Sequence, residues 1–423
     1  MELLTKIVKI IIDSGYIIML PIMITIIGVI FRMKFGHALK AGLMIGIGLQ
    51  GINLIAGYMI ESLTPAIEFY QKMNSGTGFP LLDVGYEVEF LLDWSVPFAA
   101  LVVVVAIVLN VLLIRFNITK VMNVDVWNFA NFITVGVIAY YISNSFLIGL
   151  LVCAIMSVVT LFYAQWMAPK WQEFTGIQGV TCSTYSMSLV YLCGIIVNKV
   201  FDMIPRLNKL DLNIEHLREK VGILVDPAVL GFIVGAFLGI LTKQSIQDIL
   251  ILGAKLSAAL VLLPKIAGLL MEGLNPLGAG IRKYMQNKTG GEKELIIGMD
   301  VATGIGEPCG VTVAVLIIPV IILLSFVVPG IKSFPAMLLG GTIYWSVMAS
   351  MVSNGNVLRA LVTNALFLVI AMIACAYFAP QIGIILQSAG VVDTAAGHTC
   401  IGLADRLGSI IMLIIGKFMG FGA

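Results

Sequence analysis

Charge is scarce in this sequence. Only 11% of its 423 residues are Asp, Glu, Lys or Arg, while 60% are hydrophobic, and the mean hydropathy is +1.05. No soluble core hides that much apolar surface, so the composition dictates an all-α polytopic membrane protein. No run of basic residues exists and the net charge is only +2, which excludes a nucleic-acid partner. The six cysteines (Cys153, Cys182, Cys193, Cys309, Cys375 and Cys400) form no Cys-x-x-Cys and stand apart from the three histidines. They read as packing thiols, and no metal or other cofactor is expected. P-loop, dinucleotide fingerprint and nucleophile motif are all missing, so no catalytic group of the chain's own is expected. The amino terminus lacks a basic region followed by a small-residue cleavage site; residues 1–15 read instead as a short interfacial helix ending at Asp13-Ser14-Gly15.

What the chain does have is a repeat. Gly28–Pro65 lies without a gap on Gly239–Pro276, sharing Gly42/Gly253, Gly57/Gly268 and the ending Glu-x-Leu-x-Pro, with Arg32 and Lys243 paired. Further on, Ile142-Ser143-Asn144 answers Val352-Ser353-Asn354, and Asp83-Val84 answers Asp300-Val301. Apolar runs long enough to span a bilayer are Tyr16–Phe31, Ala38–Ile60, Trp94–Ile114, Val124–Ile142 and Phe146–Trp166. The second half supplies Val225–Leu241, Ile246–Met271, Val311–Val328, Ala336–Val352 and Val357–Phe378, and Leu407–Phe421 reads as an eleventh span. Five spans per copy turn the second copy over, so the repeats are inverted. The expected division is 16–175 and 223–380 for the repeats, 176–222 for a polar connection and 381–423 for a carboxy-terminal segment. Most Lys and Arg, among them Arg32, Lys34, Lys170, Lys199, Arg218, Arg282 and Arg359, fall on one side. That side is the cytoplasm, which puts the N-terminus outside and the end of an eleven-span chain inside.

Three segments fit neither a span nor an ordinary loop. Phe79–Asp93 carries Asp83, Glu87, Glu89 and Asp93; its counterpart Leu295–Gly310 carries Asp300 and Glu307; and Gly176–Val197 is apolar but studded with Thr181, Ser183, Thr184, Ser186 and Ser188. Non-helical backbone survives at membrane depth only against protein or a wet cavity, so re-entrant hairpins are expected, with a full extra span open for Gly176–Val197. A carboxylate at the centre of a span costs roughly 2.5 kcal/mol or more, so one that persists has a partner or a task. Asp83, Glu87, Asp300 and Glu307 are therefore candidate acceptors for solute hydroxyls, and Asp83 and Asp300 read equally well as hairpin caps. Gln50 and Asn53 share a helix face in a glycine-rich stretch, as do Asn128 and Asn131. Amides both donate and accept, which suits a neutral polyol, and they also serve as interhelical glue.

Met19-Leu20-Pro21, Lys40-Ala41-Gly42-Leu43-Met44-Ile45-Gly46-Ile47-Gly48, Asn123-Val124-Asp125-Val126-Trp127-Asn128 and Ile297-Gly298-Met299-Asp300 resemble the galactitol-type enzyme IIC, the membrane component of the bacterial sugar phosphotransferase system, within the ascorbate/galactitol superfamily. The resemblance runs over nearly the whole chain. It implies a homodimer in the inner membrane, an elevator-type motion of a substrate-carrying core against a scaffold, and cytoplasmic IIA and IIB partners. In that arrangement IIB phosphorylates the sugar or polyol. Relatives carry Pro-His-Gly-Thr-Ser where this chain has Val180-Thr181-Cys182-Ser183-Thr184, and Gly-His where it has Gly306-Glu307. Both departures fall in the segments assigned to the cavity and leave a different polyol or monosaccharide as open as galactitol. An ion-coupled secondary transporter of a small polar solute is the competing reading.

Overall fold

The computed structural model describes residues 15–74, 81–83, 88–89, 92–93, 95–125, 127–210, 212–289, 295–333, 335–391, 399–400 and 402–422. Apart from Gly15, the expected interfacial helix lies outside them. Helix dominates, as the composition requires. The first part of the chain forms α1 (Gly15–Ile30), α2 (Phe35–Asn74), β1 (Leu82–Asp83), α3 (Ala99–Arg115), β2 (Val121–Asn123), α4 (Trp127–Ser143), α5 (Phe146–Thr175), β3 (Val180–Cys182) and α6 (Ser188–Met203). Two short helices, α7 (Pro205–Asn208) and α8 (Ile214–Val221), then lead to α9 (Pro227–Leu241) and α10 (Ile246–Thr289). The chain closes with β4 (Ile296–Met299), α11 (Pro308–Val327), α12 (Ala336–Gly340), α13 (Thr342–Val352), α14 (Val357–Tyr377), α15 (Ala379–Ser388), β5 (Thr399–Cys400) and α16 (Leu407–Phe418). Five helical stretches among the described residues are long and apolar enough to cross a bilayer unaided, namely Phe146–Thr175, Tyr185–Met203, Ile246–Ile266, Pro308–Val327 and Val357–Tyr377, accompanied by shorter apolar helices.

Glycine sets the packing of the first helices in each half. In α1 and α2, Gly28 lies against Ala38, and Gly42 and Gly46 against Pro21; in α9 and α10, Gly239 lies against Ile249, Gly235 against Gly253 and Gly231 against Ser257. A Cβ at Gly235 would stand 2.7 Å from backbone of the facing helix, so only glycine admits this approach. The turns that follow are matched too. Arg32 (φ 60) and Lys243 (φ 54) are both left-handed, as are Asn144 and Asn354 (φ 50 each). The expected spans ended at Ile60 and Met271, before Pro65 and Pro276, but α2 runs through Pro65 to a length of 40 residues and α10 through Pro264 and Pro276 to 44. A proline removes only one backbone hydrogen bond, and the two long helices support each other in antiparallel contact, Gly51 on Ile266 and Gly273 on Ala41 and Ile45.

The strands knit the halves together. A three-stranded parallel sheet runs β2-β4-β3, and β1 pairs in parallel with β5, while Leu81 bridges Ser333. Each sheet thus takes one strand from the opposite half, which satisfies backbone that a hairpin would otherwise leave bare in lipid.

The Gly176–Val197 segment, left open between hairpin and span, enters and leaves at one end of α5. Thr181 Oγ1 donates to the Ala164 carbonyl at 2.7 Å, and the Tyr185 ring stands 5.7 Å from Tyr163. α6 then climbs back alongside α5, with Tyr191 4.8 Å from the Trp166 ring and its hydroxyl 3.0 Å from Lys170 Nζ. Its tip lies about 16 Å back from the end of α5, measured along that 30-residue helix. The last apolar run behaves likewise. α16 has 12 residues, about 18 Å, too short for the crossing expected over Leu407–Phe421. It starts beside Val135, in the middle of α4, and passes Ile142 at Gly416. Lys417 Nζ donates to the Tyr377 hydroxyl at 2.6 Å, at the end of α14. The two tips meet where Gly408 faces the Tyr185 ring.

Candidate functional site

Polar side chains concentrate where the three-stranded sheet ends. Asn110, buried on α3, clamps β2: its Nδ2 donates to the Val121 carbonyl at 2.8 Å and its Oδ1 accepts from the Asn123 amide at 2.9 Å. That fixes Asn123, whose Oδ1 accepts from Ser183 Oγ at 3.0 Å. The Ser183 amide continues the ladder to the Met299 carbonyl at 2.8 Å. One residue on, Thr184 Oγ1 donates to Asp300 Oδ2 at 3.1 Å and accepts from the Val301 amide at 2.9 Å. The other Asp300 oxygen accepts from the Ala302 amide at 2.7 Å, capping the turn Val301–Gly304. Asp300 therefore serves as the cap that one of its two sequence readings required, and it also holds the neighbouring hairpin by a hydroxyl.

Glu307 caps α11 in the same way, its Oε2 accepting from the Gly310 amide at 2.7 Å and from Ser350 Oγ at 2.8 Å. Both bonds fall on Oε2, and the residue is partly open rather than buried. Among the described residues Oε1 takes no hydrogen bond, which leaves a fixed, pre-aimed acceptor. Pro308 helps to put it there, since proline suits the first position of a helix and leaves the residue before it as the cap.

The expected residues divide. Ser183, Thr184, Asp300 and Glu307 gather around the sheet end and the start of α11. Thr181, fully buried, is spent on the backbone of α5. Asn131 is buried on α4, and Gln50 is exposed on α2. Asp83 lies in β1 opposite Cys400; Glu87 and the side chains of Asn53, Asp83 and Asn128 lie outside the described residues. Cys153, Cys182, Cys193, Cys309 and Cys375 are buried and form no disulfide among the described residues.

A second polar group went unrecognised in the sequence. Arg406, placed by span-counting in a loop, is buried: its Nη1 donates to Thr134 Oγ1 at 2.8 Å, its Nη2 pairs with Glu89, and its Nε stands 3.5 Å from Asp405 Oδ1. Thr134 Oγ1 also donates to Asp93 Oδ2 at 2.8 Å. One guanidinium thus joins three carboxylates, all buried. The signal that would have found it is Asp405-Arg406 set directly against an apolar run too short to span.

Comparison with known proteins adds the context. The chain is 29% identical over 368 residues to the PTS system galactitol-specific EIIC component of Escherichia coli (strain K12), covering 87% of this chain and 81% of that one. The O157:H7 protein of the same description matches equally, and a putative permease IIC component of strain K12 is 28% identical over 371 residues, 88% of this chain and 84% of that one. The profile of EIIC-GAT, the PTS system sugar-specific permease component, matches residues 10–400. The chain, helical and multi-pass with its polar groups gathered at hairpins, belongs to that family of membrane permeases.

Proposed function

We propose that this chain carries a sugar alcohol of the galactitol kind across the membrane as the translocating subunit of a phosphotransferase complex. The hydroxyls are held beside the sheet end by Glu307, with Asp300, Thr184, Ser183 and Asn123 bonded to one another as the rigid wall behind it. The observation that carries the reading is the Glu307 carboxylate, locked by Gly310 and Ser350 through one oxygen while the other stays open to a ligand. A polyol offers many donors and no charge, so fixed acceptors recognise it without the desolvation cost of an ion pair. In this reading α1, α2, α9 and α10 form the scaffold and dimer face, and the remaining helices move as the core. Cytoplasmic IIB then phosphorylates the delivered solute, and the irreversibility of that step gives direction.

The matched glycine contacts and left-handed turns support two inverted repeats of five crossings each, every copy followed by an apolar helix, α6 or α16, that starts part-way along a neighbouring span and returns to the face where that span ends. The count of full crossings is then ten rather than eleven, and the C-terminus returns to the outer face with the N-terminus. The binding test is calorimetric titration of galactitol, other hexitols and aldoses into purified protein. Glu307→Gln keeps an acceptor for Gly310 and Ser350, and is expected to fold normally while weakening binding about 10–150-fold, the range of a hydrogen bond to a charged group. Unchanged affinity in that variant would remove Glu307 from the site. The Arg406 cluster favours one alternative, ion coupling, because three carboxylates face one guanidinium. Uptake into vesicles that needs a proton or sodium gradient and proceeds without phosphorylated IIB would establish it.

A further inference from the structure

The turn between α1 and α2 and the C-terminal half of α10 enclose a cleft of about 800 Å³, the size of a small-molecule site. Among the described residues, Arg32, Lys34, Lys40 and Lys283 line it with His37, against one acid, Glu272. Four cations gathered round one cavity repel one another, so the arrangement calls for an anion. The repeat makes the point sharper. At the matched turn between α9 and α10, Lys243 answers Arg32, but Ser245, Asp248 and Ile251 stand where Lys34, His37 and Lys40 would be. Duplication did not supply this charge; one turn alone carries it.

The cleft is also not a purely aqueous site. From its mouth, Phe35, Leu39, Leu43 and Ile47 run up α2 at every fourth position, 65%, 38%, 48% and 54% exposed, so they form one continuous apolar stripe on the helix. Phe31 and Tyr284 pack edge to face in the wall, ring centroids 5.3 Å apart, an aromatic pair where a span leaves the hydrocarbon. We propose that this cleft binds the phosphate headgroup of an anionic phospholipid, whose acyl chains lie along the Phe35–Ile47 stripe. A soluble phosphate would use the basic walls and leave the stripe idle. A lipid uses both.

The test is thermal unfolding of the full chain in detergent micelles doped with dioleoylphosphatidylglycerol, with dioleoylphosphatidylcholine, or with inorganic phosphate and no lipid. Phosphatidylglycerol is expected to raise the unfolding temperature in a saturable way, and the other two are not. Each lysine near a membrane surface is worth about fivefold in binding, so Lys40→Gln with Lys283→Gln should raise the phosphatidylglycerol needed for half the shift about 30-fold. The exposed single change Lys283→Gln should raise it about fivefold, which keeps the test open if the double variant does not fold. Equal shifts with both lipids would mean that the basic turn only orients the chain, and would overturn the proposal. A shift with inorganic phosphate alone would reassign the cleft to a soluble anion, and variants that keep the wild-type response would exclude it as the site.

Discussion

Arg406→Met takes the one cation out of the buried cluster while leaving a side chain of similar length. Arg406 is 10% exposed and its partners Glu89 and Asp405 are 5% and 0% exposed, so the pair belongs to the buried class rather than to the surface class worth at most ~1 kcal/mol. Removing one member of a buried pair costs about 3–5 kcal/mol, because the charge left behind has neither water nor partner. For a chain of this size each kcal/mol moves the unfolding temperature by roughly 1–2 °C, so a drop of about 3–10 °C is expected by fluorescence-detected melting in detergent. Adding Glu89→Gln removes one of the carboxylate charges left without their cation. The double variant should therefore recover part of the loss, with a coupling of about 1–3 kcal/mol. If Arg406→Met melts with the wild type, or if the double variant is worse than either single one, the cluster is not a buried ion pair and the reasoning fails.

Two further outcomes follow from the same geometry. Asn110→Ala frees the Val121 carbonyl and the Asn123 amide at once; at about 1–3 kcal/mol per unsatisfied buried group it should lower the melting temperature and loosen Asn123. Faster hydrogen exchange at Met122 and Asn123 would show this, and unchanged exchange would contradict it. A cysteine placed after Phe418 in a cysteine-free background should react with an impermeant maleimide from the outer face in intact cells, since α16 returns to the end of α14; labelling only after lysis would restore a cytoplasmic C-terminus.

Some of this was legible in the sequence because it rests on local chemistry. Left-handed turns need Asn, Gly or a tolerated exception, and the pairs Asn144/Asn354 and Arg32/Lys243 stand in register before any coordinates are seen. Asp300 was legible as a cap at a break in the apolar run, whereas Glu307 was read as an acceptor and its capping of α11 through the Gly310 amide came from the structure. Asn110 gave no such signal: an amide inside the apolar run Leu101–Ile114 looks like any interhelical contact until β2 is placed against it. Thr181 misled for the opposite reason, since its hydroxyl is polar by composition and committed to Ala164 by position.

Composition and periodicity alone determined a helical membrane protein with acid-bearing breaks in its apolar runs, because lipid tolerates little else in a chain so poor in charge. Which carboxylates meet which hydroxyls was decided only by the tertiary structure. The strands cross from one half into the sheet of the other, and the side chains of Asp300 and Arg406 meet Thr184 and Thr134 more than a hundred residues away, at separations that no local pattern encodes.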